Sequence, residues 1–181
     1  MSHAPRLLRW IRLSLWALYA VATLARAAPA VEELDLKAAY VYNFIQFVEW
    51  PEGDTAAAHD MTVCVSPFSP LKRPLTALEG KQTSKGRTVR VRLLELTDLR
   101  SCRVIVLYNS DVEAVVRLLR AMPPAHGILT VSDELTFVNP EVVIALSQQE
   151  GRVVFGISSD AAARAGLNIS SRLLRLAKAT R

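Results

Sequence analysis

The chain has 181 residues, 51% of them hydrophobic and 22% charged, with 22 basic against 17 acidic side chains. This apolar content excludes an intrinsically disordered chain, which cannot bury enough surface to offset its ordering entropy. Of the basic groups, Arg6, Arg9, Arg12 and Arg26 precede Ala28 with no acid among them; residues 28–181 therefore hold 18 basic and 17 acidic groups, a net of +1, which excludes a nucleic-acid footprint.

The first 27 residues read as an address. Arg6, Arg9 and Arg12 form a basic leader, residues 13–24 an apolar run, and Ala25-Arg26-Ala27 an A-x-A cleavage pattern, which together predict a secretory signal peptide. Ala28-Pro29-Ala30 is a second candidate cut site. The apolar run is shorter than the roughly twenty residues a spanning helix needs, and no later stretch reaches that length. The expectation is an exported, periplasmic protein whose mature part, residues 28–181, has the size of one domain.

After the leader, residues 36–50 predict a helix. Leu36, Ala39, Tyr40, Asn43, Phe44, Phe47 and Val48 recur at three- and four-residue steps, with Val41, Ile45 and Trp50 adding apolar bulk outside that stripe. Pro51 is expected to end the helix. Two readings stay open: a core helix, or a helix whose surplus aromatic face (Tyr40, Phe44, Phe47, Trp50) docks another protein or a second copy of the chain.

Residues 52–60 form a polar, alanine-rich loop, and residues 61–65 a buried strand. Ser69-Pro70 opens a helix carrying Leu71, Leu75 and Leu78 on one face. Residues 88–94 alternate, with Val89, Val91 and Leu93 against Arg90 and Arg92, as a strand near a sheet edge does. Lys81, Lys85 and Arg87 join those arginines as a solvated basic face. A helical turn follows Thr97, and residues 102–108 predict a fully buried strand. Ser110 or Asp111 caps a helix with Val112, Val115, Val116 and Leu119 inward and Arg117 and Arg120 outward. Residues 127–131 form a further buried strand. Residues 141–146 and 152–157 make a hairpin through Gln149-Glu150-Gly151. Ser159 or Asp160 caps a short helix that Gly166 closes in the left-handed region, and Ser170 caps the last one.

This alternation predicts an α/β fold: three layers, a mainly parallel mixed sheet of about six strands, and helices on both faces. Cys64 and Cys102 are the only cysteines. In an oxidising compartment they are expected to pair, which requires Cα atoms within about 7 Å and so makes the first and third strands neighbours.

Several blocks in order carry a family likeness: KAAYVYNFIQFVEWP (residues 37–51), TVCV (62–65), CRVIVLY (102–108), ILTVSD (128–133), GRVVF (151–155) and AARAGLNISSRLLRLA (162–177). Together the chain resembles the YfiR-like family of exported bacterial proteins over essentially all of its mature length. The resemblance implies a non-enzymatic periplasmic repressor that binds the periplasmic sensory domain of an inner-membrane diguanylate cyclase. It implies, too, an outer-membrane lipoprotein that sequesters the repressor, raising cyclic di-GMP and favouring biofilm growth. Cys64 and Cys102 match a disulfide position of the family. Three departures stand out. No second cysteine pair lies in residues 137–144, Asn139-Pro140-Glu141 replaces a Gly-Gly pair, and Ser158 stands where relatives often carry Asn.

No cofactor, metal or catalytic set is signalled. His59 and His126 lack neighbouring ligands at metal spacing, and nucleophile-elbow and phosphate-loop patterns are missing. Ser132-Asp133 ends a strand, where α/β folds often place function, although Asp133 also suits a loop cap. Two functions from different classes result. One is the repressor. The other is a small-ligand sensor with a pocket near Ser66, Asn109, Ser132 and Asp133 that signals to a membrane protein.

Overall fold

The computed structural model describes residues 28–51, 60–133 and 139–180. The expected signal segment, most of the loop 52–60 and residues 134–138 lie outside the described residues. Helix α1 (Ala28–Phe47) leads into a two-residue strand β1 (Val48–Glu49), then β2 (Met61–Val65), α2 (Lys72–Thr76) and β3 (Val89–Leu93). A 3-10 segment (Leu96–Ser101), β4 (Val104–Leu107), α3 (Val112–Arg120), β5 (Leu129–Asp133), β6 (Ile144–Gln149) and β7 (Arg152–Ile157) follow. The chain continues through α4 (Ser159–Ala165), β8 (Asn168–Ile169), α5 (Ser171–Leu176) and β9 (Ala179–Thr180).

The main sheet has the order β3-β2-β4-β5-β6-β7-β9, so six strands gain a two-residue seventh at one edge. All neighbours are parallel except the β6–β7 hairpin. That hairpin turns through Glu150 (φ 51°) and Gly151 (φ 74°), the two positive dihedrals that match the twist of the flanking strands.

Alternate residues of the central strands feed two cores. Val63, Val65, Val104, Val106, Leu129, Val131, Ile144 and Leu146 pack on one face with Val41, Phe44 and Ile45 of α1, Leu75 of α2 and Ala161, Ala162 and Ala165 of α4. Cys64, Ile105, Leu107 and Ala145 face the other way, onto Leu99, Val115 and Leu119. Helices thus cover both faces, as the α/β pattern predicts. The disposition follows from right-handed crossovers: β2–α2–β3 steps one way along the sheet and β4–α3–β5 the other, which puts α2 and α3 on opposite faces.

The chemistry of the edge agrees with its sequence. β3 is an end strand whose Arg90 and Arg92 point to solvent, where they pair with Asp60, Glu79 and Asp98 at 2.9, 3.1 and 3.0 Å. Glu79 also accepts from the outward Val91 N–H at 2.6 Å, so a carboxylate occupies part of an edge that another strand would otherwise pair with. Those contacts hold the Glu79 carboxyl below its ordinary value, the Val91 N–H contributing most and the Arg90 guanidinium next.

Four expectations shift. Helix α1 ends at Phe47, not at Trp50, because Val48 and Glu49 leave it to pair antiparallel with Ile169 and Asn168. The buried face of α1 is also rotated: Lys37, Ala38, Val41, Phe44, Ile45 and Val48 are buried, while Leu36, Ala39 and Asn43 are exposed. The strand expected at residues 141–146 begins at Ile144, since Asn139 Oδ1 accepts from Glu141 N–H and Asn139 O from Val142 N–H in a turn. Ser158, not Ser159 or Asp160, caps α4 by accepting from Ala161 N–H; Ser and Asn are comparable caps, so either residue at this position would start the helix. Gly166 closes α4 at φ 71° and Ser170 caps α5 through Leu173 N–H, as expected.

Candidate functional site

In an open parallel sheet the crevice for ligands lies at the strand C-termini where the order reverses, here between β2 and β4. Ser66 sits there fully buried: its N–H donates to Val106 O and its Oγ accepts from Phe68 N–H at 3.2 Å. The hydroxyl therefore shapes the turn after β2. Ser132 is also fully buried, and its Oγ has no hydrogen-bond partner among the described residues. Asp133 is 2% exposed and lies 2.8 Å from Lys37 Nζ, itself buried, on α1. This ion pair ties the first helix to the middle of the sheet.

Asn109 is the exposed member of the expected four. With Val112, Val116, Arg117, Arg120 and Asn139 it lines an open groove of about 710 Å³ along α3. Glu113 and Arg117 pair across one helical turn of its rim at 3.1 Å. Glu141 lies between Arg120 and Arg164 at 3.5 and 3.7 Å. Among the described residues, Ser66, Ser132 and Asp133 are interior, and Asn109 lines a surface groove.

The aromatic residues of the first helix are held by specific neighbours. Phe44 is completely buried, with its ring 5.0 Å from that of Phe155 and 6.0 Å from that of Tyr40. Tyr40 lies 5.7 Å from Phe155 and is half-buried. Tyr42 donates its hydroxyl hydrogen to Gln82 O at 2.7 Å. Phe47 and Trp50, both half-buried, lie under guanidinium groups, Arg172 at 5.7 Å and Arg87 at 5.5 Å from their ring centres. Trp50 Nε1 and Gln46 Nε2 are buried without an acceptor among the described residues. Of the four expected contact residues, Phe44 belongs to the core, and Tyr40, Phe47 and Trp50 retain some exposed surface.

Cys64 and Cys102 form a disulfide with Cα atoms 5.7 Å apart, joining β2 to the approach to neighbouring β4. Both are buried. His126 accepts from Ile128 N–H through Nδ1 at 3.1 Å. Its burial lowers the imidazole pKa, opposed by the charge of Glu141. Among the described residues, no group of three or more His, Cys, Asp or Glu side chains could hold a metal ion, and no helix is long and apolar enough to cross a membrane.

Two features escape a reading of periodicity. Lys37 counts as an outward residue by type, and its signal was the lone charge of Asp133 ending an otherwise apolar strand. The outer face of α5, with Arg172, Arg175 and the 65% exposed Leu176, is hidden because three leucines share a six-residue helix and spacing alone does not say which turns inward. A family model described as YfiR/HmsC-like matches residues 34–178. No curated protein matches the chain.

Proposed function

Because the chain belongs to the YfiR/HmsC-like family, we propose that it is an exported periplasmic regulator that binds the periplasmic sensory domain of an inner-membrane diguanylate cyclase and holds the enzyme inactive. Family membership carries this reading, since the family is regulatory rather than catalytic. The burial of Ser66, Ser132 and Asp133 supports it, since among the described residues these three side chains are interior. An outer-membrane lipoprotein that captures the protein would release the cyclase. Of the four aromatic contacts expected from the sequence, Tyr40, Phe47 and Trp50 have surface left to offer such partners.

Deleting the gene is expected to raise cellular cyclic di-GMP, with restoration by the secreted protein and not by a leaderless form retained in the cytoplasm. An unchanged level would eliminate cyclase repression. A second reading, a small-ligand sensor, rests on the groove bearing Asn109 and Asn139, whose volume of about 710 Å³ lies within the range of small-molecule sites. Under that reading a periplasmic metabolite raises the melting temperature of the purified protein, with a shift that grows as the logarithm of its concentration above Kd. A flat response across such metabolites removes it.

A further inference from the structure

Helix α5 stands against the end of α1. Ser170 N–H donates to Phe47 O at 3.0 Å, Val48 pairs with Ile169, and the Arg172 guanidinium covers the Phe47 ring at 5.7 Å. Leu173 is buried beneath, which turns Arg172, Arg175 and Leu176 outward on one helical face at three- and four-residue steps. Leu176 is 65% exposed. Among the described residues neither arginine lies within ion-pair distance of an acid, in contrast to Arg90, Arg92 and Arg117. The neighbouring acid, Glu49, accepts from Asn168 Nδ2 at 3.3 Å.

The geometry points to this face, Phe47, Ile169, Arg172, Arg175 and Leu176, as a docking surface for an acidic segment of the partner protein. Carboxylates of that segment meet the two guanidinium forks, which favour bidentate pairing, and an apolar side chain meets Leu176. The inference rests on the regulator reading above and adds where the partner sits and what chemistry it presents. Charge complementarity selects the occupant. A second copy would bring the same two arginines against themselves, and like charges across an interface are repulsive. An anionic bilayer is recruited by clusters of about four to eight basic residues, whereas this face has two arginines around one protruding leucine. Phe68, although 69% exposed, stands in a turn with no charged group beside it in sequence.

The test is calorimetric titration of the purified protein with the purified periplasmic domain of its cyclase. R175E disturbs no contact within the described chain, and R172E/R175E reverses both charges. The expected result is at least about tenfold weaker binding for R175E, with its melting temperature retained, and a larger loss for the double variant, which also gives up the Arg172 guanidinium over Phe47. R117E, on α3, should bind as wild type, and wild-type binding should weaken as salt rises. If wild type binds and R175E binds equally well, the docking inference is overturned and the regulator reading survives. If wild type does not bind the domain at all, the regulator reading falls and the inference with it. Phosphatidylglycerol vesicles form a separate arm: sedimentation of wild type with them, lost in R172E/R175E, would assign the face to lipid and overturn the inference.

Discussion

Lys37 and Asp133 are each about 2% exposed at the side chain and 2.8 Å apart, so each charge is tolerable because the other is present. Removing one partner of a buried pair leaves the other unsolvated and costs about 3–5 kcal/mol, whereas replacing both with apolar groups is often neutral. Lys37→Met should therefore lower stability by about 4 kcal/mol, and Lys37→Met with Asp133→Leu should recover most of it. Denaturant melts of the single and double variants measure this; equal losses in both would show that the pair does not act as a unit. His126 offers a pH readout. Its folded pKa lies below its unfolded value because of burial. Well above about pH 6.5 neither state is protonated; as pH falls toward and below that value, the unfolded chain takes up the proton first. This contribution to stability thus declines on acidification until the folded pKa is passed. His126→Asn keeps an acceptor for Ile128 N–H and should flatten that part of the stability profile, and an unchanged profile would assign the pH dependence elsewhere.

At the scale of elements, the amphipathic α1 shows what a pattern can and cannot reveal. Its existence is legible from three- and four-residue spacing, but its phase is not, because so many of its residues are apolar that two neighbouring stripes fit. Val41, Ile45 and Val48 face the sheet because Lys37, on the same side, finds Asp133 there. Its end is likewise set by a distant partner: β8 takes Val48 and Glu49 out of the helix before Pro51 can stop it. The strands β2, β4 and β5 are easier, since continuous apolar runs have few other homes in an α/β domain. Trp50 lies at the junction. A Cβ on Gly127 would sit 3.7 Å from Trp50 Cδ1 and 3.6 Å from Pro51 Cδ, and one on Gly166 would sit 3.2 Å from Pro51 Cγ. The Trp50-Pro51 pair therefore fills the space between the loop before β5 and the end of α4. Trp50→Ala should cost about 3 kcal/mol, the low end for a large aromatic because the ring is half-buried, while under the proposed regulator function the folded fraction keeps its affinity for the cyclase domain. Full stability with lost affinity would instead make Trp50 a contact residue.

Across the whole molecule, the sheet order follows from few constraints. The cysteine pair requires β2 beside β4, and right-handed crossovers then place β3 and β5 outside them. The candidate surface is less legible, since the exposure of Arg175 and Leu176 depends on which leucine of α5 turns inward, and that is decided by packing against α1. The disulfide closes a loop of 38 residues between two central elements, so it restrains the unfolded chain more than it adds contacts to the folded one. Chain entropy assigns it about 4 kcal/mol. A Cys64→Ala/Cys102→Ala variant should keep the same sheet, because parallel pairing of β2 and β4 and their buried valines do not depend on the bond. Its denaturation midpoint should fall. The slope of stability against denaturant should rise as well, because the uncrosslinked unfolded state expands and exposes more surface. Paired urea titrations followed by circular dichroism separate the two effects. A lower midpoint with a steeper slope places the stabilisation in the unfolded state, whereas a lower midpoint at unchanged slope places it in native contacts around Cys64, including the Arg92 Nε that approaches its sulfur at 3.5 Å.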